Sequence, residues 1–146
     1  MATYWWVAPV VLVVGWYVHH RLSVRRDIRK EVRDQIDALI SLIEDVQDQC
    51  YKYYSCPGND RDNVVLGQDI RCKVKQIGTR ASNINNDLPG SALTSRAIRF
   101  RQAATLKLDD IGRPGLAVSD PLFENISTTG SALINALEGG FRSRFK

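Results

Sequence analysis

Apolar positions along the chain form one continuous run, followed by periodic stripes. No side chain from Ala2 to His20 is charged. The segment from Thr3 to Val18 predicts a membrane-spanning helix, at the short end of the roughly 17–25 apolar residues that cross a hydrocarbon core. Pro9 is compatible with such a span. Beyond Arg21 the pattern becomes periodic. Val32, Ile36, Leu39, Ile43, Val46, Cys50 and Tyr53 recur at alternating steps of four and three. That spacing places them on one stripe of a helix with a coiled-coil-like period. Asp34, Asp37, Glu44, Asp45 and Asp48 fall on its wet face.

Proline and glycine punctuate the rest. Ser55-Cys56-Pro57-Gly58-Asn59-Asp60 stops the first helix. A matching stripe, Ile70, Val74, Ile77, Ala81, Ile84 and Leu88, predicts a second helix packed on the first as an antiparallel hairpin. Pro89-Gly90 ends it, and Ser91 is the expected N-cap of a third helix bearing Leu93, Ala97, Phe100, Ala104, Leu108 and Ile111. Gly112-Arg113-Pro114-Gly115 breaks that helix. Asp120-Pro121 opens a fourth, carrying Leu122, Ile126, Gly130, Leu133 and Leu137, with Gly139-Gly140 expected to close it. No window shows sustained strand alternation bounded by turns. The fold class expected is therefore all-α: an N-terminal single transmembrane helix followed by a cytosolic antiparallel four-helix bundle. The division is 1–20 anchor, 21–140 helical bundle domain and 141–146 basic aromatic tail. Returning helices would bring that tail, with Phe141 and Phe145 among three cations, back toward the bilayer.

Charge gives the anchor a direction. Tyr4, Trp5 and Trp6, then Trp16 and Tyr17, resemble two interfacial aromatic belts. Arg21, Arg25 and Arg26, followed by Arg29, Lys30 and Arg33, flank the run on one side only. Positive flanks stay in the cytoplasm, so the bundle is expected inside and the N-terminus outside. The same arginines suit anionic headgroups, and Arg21 can snorkel. A cleavable signal peptide fits less well, because a basic start and a small-residue cleavage site are both missing. The formal net charge is only +4, too modest to argue for nucleic acid by itself.

Candidate chemistry is sparse. Cys50, Cys56 and Cys72 make an odd set that does not resemble a disulfide framework or a zinc site. The only histidines, His19 and His20, lie at the edge of the apolar run. Phosphate-binding, dinucleotide-binding and nucleophile-elbow motifs are all missing. The adjacent pairs Asp109-Asp110 and Glu44-Asp45 diverge by about 100° on a helix and do not converge on one point. No catalytic residue, metal ligand or cofactor is therefore expected. Asn125-Ile126-Ser127 matches a glycosylation acceptor, which the expected sidedness argues against. Asn125 to Leu137 carries no charge, and reads as a buried helix whose small residues permit close approach.

The basic residues Arg71, Lys75, Arg96, Arg99 and Arg101 form the candidate site for an anionic ligand such as a nucleotide or nucleic acid. The function expected is that of a non-enzymatic single-pass membrane protein whose bundle mediates self-assembly, as a homo-oligomer, or partner binding. The alternative is an oligomeric membrane-perturbing or channel-forming effector of the bacterial defence or toxin type, gated by that ligand.

Overall fold

The computed structural model describes residues 7–58, 61–88, 90–110 and 112–146. Four helices and no strand occur among them: α1 Val7–Ser55, α2 Arg61–Asp87, α3 Leu93–Thr105 and α4 Pro121–Arg144. The chain divides into two compact units, one up to Asp34 and one from Gln35 to Lys146.

The first unit is the N-terminal part of α1. From Val10 to Val18 its apolar residues face outward all round: Val10, Val11, Leu12, Val13, Val14, Trp16, Tyr17 and Val18 are each about half exposed or more, whereas Val32 near the end of the unit is buried. Trp16 stacks on His20 at 5.4 Å between ring centroids, and the Arg21 guanidinium lies 5.7 Å from the Tyr17 ring. The expected transmembrane helix is not found here. No helix among the described residues is long and apolar enough to cross a membrane. Among the described residues of α1 the uncharged run covers Val7 to His20, about 21 Å at 1.5 Å per residue against a core of about 30 Å, and charged residues follow from Arg21. Tyr4, Trp5 and Trp6, the outer aromatic belt, lie outside the described residues.

The second unit is held by the stripes that the spacing predicts. Ile36, Leu39, Ile43, Val46, Cys50 and Tyr53 of α1 are buried, as are Ile70, Val74, Ile77, Ala81 and Ile84 of α2. Leu93, Ala97, Phe100 and Ala104 of α3 join them, with Leu122, Ile126, Leu133 and Leu137 of α4. Side-chain bonds give the register. Gln49 donates to Asp69 at 2.8 Å and Lys73 to Asp45 at 2.7 Å, so α1 and α2 run antiparallel. Arg71 pairs with Asp109 just beyond α3, while the Leu93 N–H donates to Asn85 at the opposite end, so α2 and α3 are antiparallel too. Arg96 donates to the Ala132 carbonyl at 3.1 Å, and Lys107 lies 3.9 Å from Asp120. Gln47 reaches the Ile126 and Ser127 carbonyls, and Tyr51 meets Phe123 at 5.1 Å, which sets α4 against α1. The helices thus neighbour one another in chain order, up and down.

Three local expectations fail for identifiable reasons. Ser91 does not cap α3: its hydroxyl donates to the Leu88 carbonyl and so finishes α2. Ala92, at φ 51°, occupies the cap position, and the Asn85 side chain supplies the missing acceptor. The third helix ends at Thr105, short of Leu108, where tyrosines of α1 take up one carbonyl of its last turn and one of the turn that follows. Tyr54 donates to Ala104 at 2.8 Å and Tyr53 to Leu108 at 3.1 Å. Ile111 is outside the described residues. Gly139-Gly140 does not close α4, which continues to Arg144. A Cβ on Gly140 would come within 3.2 Å of the Ser91 side chain, so this glycine permits a close helix approach. Phe141 beyond it is buried, and Arg144 bonds the Asp87 backbone and carboxylate. Asp120 caps α4 as expected, accepting from the Leu122 N–H at 2.9 Å.

The end of α1 is closed by a residue that the sequence presents as part of a loop. Helix ends leave their last carbonyls without intrahelical partners. Arg113 is buried and fills that need: its guanidinium donates to Tyr53 O at 2.6 Å, Tyr54 O at 3.1 Å and Cys56 O at 3.0 Å. The same group lies 4.5 Å from the Tyr53 ring centroid and 4.8 Å from that of Tyr54, where cation–π attraction lowers the cost of burying its charge. Asn63, also buried, adds bonds to Tyr53 O and Pro57 O, and the Leu116 N–H donates to Tyr54 O at 2.8 Å. Gly115 passes so close that an added Cβ would fall 2.4 Å from the Ser55 carbonyl oxygen.

Replacing Arg113 with Met keeps volume but orphans these carbonyls. The expected loss is about 3 kcal/mol, a fall in thermal midpoint of roughly 10 °C for a unit of this size. Arg113→Lys, lacking the fork, should recover only part of it, as read by circular dichroism melts of the full chain. Gly115→Ala should cost roughly 1–3 kcal/mol in the same assay, because the clash is with backbone and cannot relax by rotamer change.

Candidate anion-binding groove

The five cations singled out by the sequence do not form one site. Arg71 and Lys75 on α2 and Arg101 on α3 line a common groove of about 460 Å³, floored by Val74 and Leu108. Antiparallel packing of α2 on α3 brings them together. Arg96 lies elsewhere, turned toward α4 and bonded to the Ala132 carbonyl. Arg99 is exposed on α3 and does not line the groove.

The groove also holds a carboxylate. Asp109, in the turn after α3, pairs with Arg71. Its side chain is 89 % exposed and that of Arg71 is 44 % exposed, so solvent screens the pair heavily. A smaller depression of about 110 Å³ adjoins it, sharing Arg71, Leu108 and Asp109 and reaching Tyr53, Val64 and Gly67. A Cβ on Gly67 would sit 3.0 Å from the Tyr53 ring, so the glycine is what lets α2 meet that tyrosine.

Lys73, between Arg71 and Lys75 in sequence, is committed elsewhere. It bridges Asp45 and Asp69, at 2.7 and 2.8 Å. The Asp45 and Asp69 carboxylates hold its ammonium above its ordinary pKa, and Lys73 with Gln49 holds Asp69 below its own. This network ties α1 to α2 and is structural.

Trp16, Tyr17, Arg21, Arg25 and Arg26, taken from the sequence as membrane-interface residues, are all exposed on the first unit. Among the described residues no group of three or more His, Cys, Asp or Glu side chains is arranged to hold a metal ion. The three cysteines are free thiols, Cys50 buried and Cys56 and Cys72 exposed. Sequence reasoning missed Asp109 as a partner of Arg71 and missed the burial of Arg113. The first was accessible from the antiparallel register, which sets residue 71 opposite 109. The second had no periodic signal, because Arg113 lies between helices.

No protein-family model, curated protein sequence or solved structure matches this chain.

Burial pushes the Cys50 thiol up to about 12. At pH 8, iodoacetamide should therefore label Cys56 and Cys72 in the folded chain and reach Cys50 only after denaturation, as counted by mass spectrometry. The raised pKa also sets a sign. The thiol is protonated in both states below about 9, so its contribution to stability is complete there. Unfolding should become easier as pH rises from about 9 toward 12.

Proposed function

We propose that the chain is a non-enzymatic, membrane-anchored protein whose helical bundle is displayed on the cytoplasmic side for self-assembly or partner binding. One observation carries the reading. Between Val10 and Val18 the helix of the first unit carries exposed apolar side chains on every face, Leu12 and Trp16 being 73 % and 68 % exposed. A helix that is hydrophobic all round is stable when lipid or protein surrounds it, not water. Lipid is the surrounding favoured here, since the uncharged run begins at Ala2, ahead of the described residues, and ends at a cationic border. In sequence the uncharged run covers Ala2 to His20, within the roughly 17–25 residues that a single pass needs. The cations from Arg21 to Arg33 favour the cytoplasmic face for the bundle. The second unit supplies surface rather than catalytic geometry: its buried polar groups serve helix ends and helix contacts.

Expressed in a bacterial host, the full chain should stay with membranes through extraction at about pH 11. Changing Val11, Leu12, Val13 and Val14 together to Ser should release it while leaving the helical spectrum of the bundle intact, since about 0.8 kcal/mol is lost per buried methylene removed. Protease added to intact spheroplasts should leave the bundle uncut. A full chain recovered entirely in the soluble fraction would defeat the reading, and a bundle cut from outside would reverse its sidedness.

A further inference from the structure

We propose that the groove between α2 and α3 binds a soluble phosphate ester of nucleotide size, and that Asp109 is its built-in competitor. This stands apart from the membrane reading and rests on different residues. Arg71, Lys75 and Arg101 surround one depression. No side-chain hydrogen bond or ion pair engages Lys75 or Arg101 among the described residues. Arg71 alone is paired, to a carboxylate that is itself almost fully in water. Three cations against one carboxylate leave the groove with an excess of two positive charges.

Unpaired like charges facing one groove repel each other, and an anion placed among them relieves that cost. A single chloride would neutralise little. A di- or triphosphate can bridge the cations, taking the planar fork of arginine in two-point contact and lysine as a point charge. Ligand entry frees Asp109 from Arg71, and the lost pair is a weak one. Val74 and Leu108 add an apolar floor against which a base or other flat group can lie. The space of about 460 Å³ suits a small molecule. A nucleic acid would need a longer basic track, and Arg96, which would extend it, is turned to α4.

The test is calorimetric titration of the full chain in mild detergent with sodium tripolyphosphate, in about 150 mM salt so that distant charges are screened. Saturable binding is expected. Lys75→Glu combined with Arg101→Glu should weaken it at least tenfold while leaving the helical spectrum without probe intact, both side chains being exposed. Asp109→Asn should strengthen it about threefold, in line with the small worth of an exposed pair. The cations from Arg21 to Arg33 can also attract polyanions, so the readout is the change that the groove substitutions make. Binding indifferent to the double charge reversal, or weakened by Asp109→Asn, overturns the site. Competition then assigns the source. Displacement by adenosine triphosphate supports the soluble ester. Displacement only by short-chain phosphatidic acid, or only by a single-stranded oligonucleotide, overturns that class.

Discussion

The bundle depends on how α1 is brought to an end. A long helix that stops inside a protein leaves carbonyls pointing at no partner, and burying them unpaired costs more than most single contacts return. Here the stop is made by a guanidinium that comes from the segment after α3 and faces the Tyr53, Tyr54 and Cys56 carbonyls. Those two tyrosines donate their hydroxyls in the other direction, to the Ala104 carbonyl in the last turn of α3 and the Leu108 carbonyl in the turn that follows it. The end of α1 and the segment running out of α3 therefore satisfy each other's carbonyls. A charge in the interior is tolerated because three carbonyl dipoles and two aromatic faces replace the water it gave up.

This arrangement also explains which parts of the fold were legible in the sequence. The four stripes were readable because burial at a step of three or four leaves its mark in apolar residues, and Ile36, Ile70, Phe100 and Leu133 are fully enclosed where the period puts them. Termini were less readable, because they are decided by partners distant in sequence. Asp120-Pro121 is the exception, being a local cap that needs no partner. Ser91 has the same local chemistry as a cap, yet its hydroxyl is drawn to Leu88, and Asn85 takes over from one helix away. Gly139-Gly140 carries the composition of a stop, but close packing against Ser91 and Leu88 uses Gly140 as a contact surface inside a continuing helix.

The candidate groove was legible in composition and not in geometry. Residues Arg71 and Lys75 share a helix face by spacing alone, and Arg101 joins them only through the pairing of α2 with α3. Arg96 looked equivalent along the sequence and differs because α4 lies beside it, offering the Ala132 carbonyl. Lys73 is withheld from the groove in the same way, by the carboxylates of Asp45 and Asp69. Charge clusters on a bundle are sorted in this manner: neighbouring helices claim some cations for structure, and the remainder define the accessible field.

The distance along the chain between Tyr53 and Arg113 has a consequence for synthesis. Sixty residues separate the guanidinium from the carbonyl it closes. A chain emerging from the ribosome can complete the hairpin of α1 and α2 long before Arg113 appears. During that interval the end of α1 stays open and the Tyr53–Tyr54 edge lacks its cation. Until the segment after α3 has been made, the carbonyls at the end of α1 have no guanidinium to accept from. The Arg113 contact closes that end of the hairpin, and α4, later still in the chain, completes the unit.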